Sequence, residues 1–211
     1  MYKGNGQRAP VLNEVLSDYS NSGFDPFVDL LSAQASRPAN LYPVNLRTLT
    51  PMQRALLSID GTVTKFLEAY LLEPIESVLL TQQTQRLQAD HPWLALDAPG
   101  EVIARQVLLR GRYSATIYAY ALSLLAPARL PPNLLQELAQ EPAGIGRVLL
   151  NSQIENRREI LWYGREELAN LPETIERYTG SNFISRTYRI IAGGQPVMLI
   201  NEKFPIDQTT L

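Results

Sequence analysis

The sequence predicts an α+β fold: one antiparallel sheet of about six strands with a few helices packed against it. Three observations predict it. Runs at about 75–87, 101–110, 113–125, 153–164, 183–192 and 196–204 read as strands. Adjacent glycines in "AGGQ", 192–195, separate the last two runs and signal a tight hairpin, and strands joined by short turns are antiparallel. The helical segments are few and grouped, whereas a parallel dinucleotide-type sheet needs strict alternation of strand and helix.

The elements follow in chain order. Residues 1–46 read as an N-terminal extension, helical or partly mobile, ahead of a main domain spanning 47–211. In it, "APVLNEVLSDYS" and "DPFVDLLSAQAS" each have the spacing of a short amphipathic helix, and "RPANLYPVN" is extended and interrupted by proline. "TPMQ", 50–53, starts a helix: Thr50 caps it, Pro51 suits the first helical position and Gln53 completes a capping box. The helix runs through Leu56 and Leu57, breaks at Gly61 and restarts near Thr62. After three strands, "RLPPNLLQELAQE" carries Leu134, Leu135 and Leu138 at helical spacing behind two prolines. A second short helix follows "PAGIGR".

Composition narrows the function. The 211 residues suffice for one domain with a sizeable core. With 19 basic and 21 acidic side chains the net charge is −2, which argues against a nucleic-acid partner. The absence of cysteine removes disulfides, thiolate nucleophiles and zinc–thiolate sites. The single histidine, His91 in "ADHPW", removes multi-histidine metal sites and leaves a Ser–His–Asp triad one unpromising residue in a Pro-flanked loop. No metal site is expected. "MYKGNGQRAP" lacks the apolar core of a signal peptide, and no run approaches the ~20 apolar residues of a membrane span. A soluble, cytoplasmic chain without a membrane span, acting as a monomer, is the expectation.

Two strands place ionisable residues among apolar ones. In "GGQPVMLINEKFP" the two-residue period puts Met198, Ile200, Glu202 and Phe204 on one face. In "EVIARQVLLRG" it sets Arg105 between Ile103 and Val107, with Leu109 beyond. A buried unpaired charge costs several kcal/mol or more, so each needs a partner. Either the two groups form structural ion pairs, with each other or with other side chains, or Arg105 forks onto a ligand carboxylate while Glu202 accepts a hydrogen bond from a ligand hydroxyl. In "GIGR", 144–147, two glycines at a helix start offer backbone N–H groups to an anion, although on spacing alone a plain turn into a helix is the better reading. "QIENRREILWYGRE" reads as a strand with one solvated face, with Ile154, Ile160 and Trp162 able to share the other face with Arg158. The tyrosines of "YSATIYAYA" (Tyr113, Tyr118, Tyr120) read as sheet packing.

"IARQVLLRG", "GIGRVLL" and "SRTYRIIAGGQPVMLINEKFP", in this order and spacing, resemble chorismate pyruvate-lyases, most of all their cyanobacterial and plastid branch. "LLSIDGTVTKFLEAY" fits as well, so the resemblance covers about residues 48–207. It implies an antiparallel sheet with an internal ligand cavity. It implies a cofactor-free lyase that turns chorismate into 4-hydroxybenzoate and pyruvate for quinone synthesis. It implies that Arg105 binds substrate, that the backbone at Ile145 and Gly146 helps hold its carboxylate, that Glu202 closes the site, and that Thr62 or Val63 occupies the place of a pocket methionine. By this implication Arg105 and Glu202 are the catalytic pair, and Arg105, Ile145, Gly146, Glu202 and Thr62 bind substrate. A second arginine found after the strand turn in the well-known branch has no match in "YSATIYAYA". The competing class is a sensory domain of the same fold, which binds an aromatic carboxylate without reaction. Such sensors carry a basic winged-helix segment, whereas residues 1–46 hold only Lys3, Arg8 and Arg37 as basic residues.

Overall fold

The computed structural model describes residues 24–140, 144–169 and 171–206. Six strands form one antiparallel sheet in the order β1-β2-β3-β6-β5-β4. They are β1 (Ile75–Arg86), β2 (Glu101–Gly111), β3 (Ile117–Leu125), β4 (Asn156–Glu167), β5 (Asn182–Ala192) and β6 (Gln195–Pro205). The α+β expectation holds. Gly193 and Gly194 take φ of 56° and 77°, and this pair of positive angles is what a two-residue turn needs to match the twist of β5 and β6.

One sheet face carries the core. Leu56 and Leu57 of α1 (Pro51–Ser58) and Val63 and Leu67 of α2 (Val63–Leu71) pack on Leu109, Ala119, Ile184 and Phe204. Leu134 and Leu138 of α3 (Pro132–Gln140) and Val148 and Leu149 of α4 (Ile145–Asn151) pack on Leu125, Ile190, Met198 and Ile200. The capping box at Thr50 and Gln53 is present in both directions, at 3.2 and 2.9 Å. The four strand residues Met198, Ile200, Glu202 and Phe204 are all buried, as the period-two reading requires.

The structure departs from the sequence reading in several places, each with a local cause. β3 begins at Ile117 rather than 113, because the Glu73 carboxylate gathers Tyr113 N, Ser114 N and the Ser114 hydroxyl into a turn. β4 lies a few residues later than expected, and a register shift between Ile160 and Trp162 inserts one extra residue. A bulge of this kind reverses the alternation beyond it. Ile160 therefore stays on the Arg158 face, while Trp162 turns to the opposite face and meets Trp93 edge-on. α4 starts inside "GIGR" instead of after it. A fifth helix, α5 (Glu173–Thr179), had no counterpart in the sequence reading and covers the second sheet face through Ile175.

"APVLNEVLSDYS" lies outside the described residues. "DPFVDLLSAQAS" forms turns and a single 3-10 turn, Gln34–Ser36, rather than an α-helix. Its backbone donors go elsewhere: Ser32 N and Ala33 N donate to Ile160 O and Leu161 O of the edge strand β4, and Tyr42 bridges Arg165. Phe27 is buried beside Tyr163, with ring centroids 4.9 Å apart. No helix among the described residues is long and apolar enough to cross a membrane.

Candidate functional site

A pocket opens between the core face of the sheet and the first residues of two helices. Arg105, Val107, Ala121, Ser123, Ile200 and Glu202 line it from β2, β3 and β6. Tyr188 and Arg158 line it from β5 and β4, and Thr62–Thr64 and Gly144–Gly146 line it from the starts of α2 and α4. Its space, open mouth included, is about 540 Å³.

Sheet register brings these side chains together. Arg105 faces Ser123 across β2–β3, Ser123 faces Ile200 across β3–β6, and Ile200 faces Tyr188 across β6–β5. The neighbouring row runs Val107, Ala121, Glu202, Arg186. Adjacent strands stand ~4.8 Å apart, so two rows make a continuous lining. Above them, Gly146 permits the close approach of α4 to the start of α2. A Cβ there would overlap the Thr62 methyl group and stand 3.0 Å from the Thr62 hydroxyl. The glycine is needed for space rather than for backbone conformation.

Arg105 and Glu202 do not pair with each other. Glu202, 7% exposed, accepts from Arg186 Nε at 2.9 Å and from the Tyr188 hydroxyl at 3.2 Å. Arg186 is fully buried, donates through Nη1 to Ile59 O at 2.6 Å and lies 5.0 Å from the centre of the Tyr188 ring. For Glu202 the ion pair with another side chain is the alternative that holds: its charge is balanced from within β5. A carboxylate has about four acceptor sites, so these two bonds leave Glu202 able to accept more. Burial, then the Glu202 charge, pushes the Tyr188 hydroxyl well above the usual phenol range, which keeps it a neutral donor.

Arg105 is 2% exposed, and its Nε and Nη1 have no partner among the described residues. Burial pushes its guanidinium below its ordinary value, with no carboxylate among the causes to hold it up. An unsatisfied buried donor costs about 1–3 kcal/mol, more when charged. The cost falls on a side chain that lines the pocket.

All five sequence-predicted residues, Thr62, Arg105, Ile145, Gly146 and Glu202, line this one pocket, as does Val63. His91 does not; its Nδ1 accepts from Leu94 N in a turn. The sequence reading gave no role to Arg186 or Tyr188. The signal was present in "ISRTYRI", whose alternation puts Ile184, Arg186, Tyr188 and Ile190 on one face in the way that singled out Arg105. No group of three or more His, Cys, Asp or Glu that could hold a metal ion occurs among the described residues.

The protein is 29% identical over 168 residues to the chorismate pyruvate-lyase of Mycobacterium tuberculosis, covering 75% of this chain and 82% of the relative. It is 30% identical over 165 residues to that of Mycobacterium leprae, covering 75% and 76%. Among solved structures, the effector domain of PhnF from Mycobacterium smegmatis shares the fold. It superposes with a TM-score of 0.52 at 12% identity, over 80% of this chain and 94% of that one. The sequence model of the family described as "Chorismate pyruvate-lyase Rv2949c-like" matches residues 57–211, from the end of α1 through β6, and the chain belongs to that family.

Proposed function

We propose that the protein cleaves chorismate to 4-hydroxybenzoate and pyruvate, with the pocket between the sheet and α4 as its active site. The observation that carries this reading is the buried Arg105, with open N–H groups lining a pocket in a chain of this family. Arg105 forks onto the ring carboxylate, assisted by backbone N–H groups at Ile145 and Gly146. Glu202, fixed by Arg186 and Tyr188, accepts a hydrogen bond from the ring hydroxyl. Thr62 and Val63 wall the pocket beside them.

The chemistry asks for positioning and charge stabilisation. Breaking the bond between the ring carbon and the ether oxygen sends an electron pair to the leaving enolpyruvate. The carbon bearing the hydroxyl loses its hydrogen, the enolpyruvate methylene gains one, and the ring becomes aromatic. Aromatisation supplies driving force, so the step as written calls for no oxidant and no covalent nucleophile. Holding the substrate with its ether aligned and its developing charge met by fixed donors is what such a site contributes. In this reading the enzyme works in the cytoplasm as a monomer on a free small molecule, with no nucleic-acid partner. Its product feeds a quinone head group, plastoquinone in the cyanobacterial and plastid branch.

Incubating the purified protein with chorismate tests the reading. Equal amounts of 4-hydroxybenzoate and pyruvate are expected, undiminished by a strong chelator. Chorismate binding without pyruvate release would make the protein a sensor of the same fold instead.

A further inference from the structure

Arg158 lines the same pocket from β4, at the far side of the sheet from Arg105. Four strand steps separate β2 from β4, about 19 Å along a flat sheet at ~4.8 Å per step. Arg158 makes no salt bridge among the described residues. Its Nη1 donates to the backbone carbonyl of Asp60 at 3.3 Å, and its buried Nε has no partner among the described residues. Its charge is nonetheless felt inside the pocket, where it acts on Tyr188. Glu202 is the acidic side chain in the lining and is already engaged by Arg186. The guanidiniums of Arg105 and Arg158 therefore both lack a matching negative charge.

Resting on the lyase reading, we propose that Arg158 is a second carboxylate anchor, which holds the enolpyruvyl carboxylate of the substrate while Arg105 holds the ring carboxylate. Chorismate carries two carboxylates, and two unmatched guanidiniums entering from opposite sides of the pocket suit such a dianion. 4-Hydroxybenzoate carries one carboxylate and so engages Arg105 alone. When the ether bond breaks, its electron pair stays with the enolpyruvate oxygen beside the carboxylate that Arg158 holds. The proton lost from the ring balances the one gained by the methylene. Arg158 thus meets charge as it develops on the leaving group.

The test is a split between substrate and product. In Arg158→Gln, kcat/KM for chorismate should fall about ten- to a hundredfold, the size of one charge-assisted contact. The Kd for 4-hydroxybenzoate should stay within twofold, and that binding also shows that the pocket is folded. Arg158→Lys, which keeps the charge but not the fork, should lie between Gln and wild type. Arg105→Ala should weaken both ligands. If both Arg158 variants keep kcat/KM within twofold, or lose affinity for 4-hydroxybenzoate by the same factor as kcat/KM, the second anchor is refuted. Failure of the wild-type protein itself to release pyruvate would strike the lyase reading instead.

Discussion

Arg105 and Glu202 lie on the same sheet face with only β3 between their strands, yet they meet the cost of burial differently. Glu202 has Arg186 and Tyr188; Arg105 has open donors and a pocket. This difference separates their variants. Arg105→Lys should bind chorismate and 4-hydroxybenzoate about ten- to a hundredfold more weakly, because an ammonium cannot make two parallel bonds, while its melting temperature changes little. Unchanged affinity for both ligands would make Arg105 structural. Removing the Glu202 charge strands Arg186, and breaking a buried pair costs about 3–5 kcal/mol. Glu202→Gln and Glu202→Ala should therefore both melt lower, by roughly 6–20 °C at about 2–4 °C per kcal/mol for a chain of this size. Measured well below those midpoints, Gln should turn over clearly faster than Ala if Glu202 positions the ring hydroxyl, since Gln keeps a carbonyl acceptor. Equal loss in both, with the acidic limb of the wild-type rate profile gone, would make Glu202 a general base.

At the scale of elements, the pocket depends on how closely α4 approaches α2. Gly146 sets that distance against Thr62. Gly146→Ala should push the two helix starts apart and lower kcat/KM by tenfold or more, with the sheet intact by circular dichroism. Thr62→Ser removes the methyl group that the new Cβ meets, so the double variant should recover part of the loss. Additive losses in the double-mutant cycle would show that the two positions are not coupled through this contact. β6 is the other element to test. Ile200 is buried in the same row as Arg105 and Tyr188. Ile200→Asp places an unpartnered charge there and should leave no cooperative melting transition, whereas wild-type melting would contradict the assigned face.

The whole molecule is closed along β4 by the segment that precedes α1. Phe27 is its anchor in the core, and Phe27→Ala should cost about 3–5 kcal/mol if the segment is part of the folding unit. A shift in melting temperature under 2 °C would mean that the segment adds little. The acid side of the stability profile has an identifiable contributor in Glu159. Arg189 holds it by two bonds, Nε to Oε2 at 3.1 Å and Nη2 to Oε1 at 3.2 Å. The Arg189 hydrogen bond, opposed by partial burial, lowers the Glu159 carboxyl from its ordinary value of 4.5. A lowered folded-state value means that the stabilisation is fully present above that ordinary value and is lost as pH falls through the folded one. Glu159→Gln should thus melt about 1–4 °C below wild type at neutral pH, for a pair worth about 0.5–1 kcal/mol. The gap should close as pH falls through the lowered folded-state value, below which wild type is protonated too; a gap independent of pH would assign the effect to packing.

The sequence by itself determined the sheet, the β5–β6 hairpin, the capping box at Thr50 and the inward face of β6, because each is written in local spacing. Period-two alternation, paired glycines and a Thr-Pro-x-Gln start act over a few residues and need no distant partner. It also marked Arg105 and Glu202 as charges that require an explanation. Only the tertiary structure decided which explanation applies. Arg186 reaches Glu202 from 16 residues away, and Ile59, whose carbonyl Arg186 also holds, is 127 residues away. A one-residue bulge in β4 turned Trp162 out of the Arg158 face, and alternation has no means of announcing an insertion. The segment around Leu30 has helical spacing, but the unpaired edge of β4 offered its backbone donors another set of acceptors. Local pattern states what each residue prefers to bury. The partners that make burial affordable come from strands far apart in the chain, and they are settled only when the sheet is assembled.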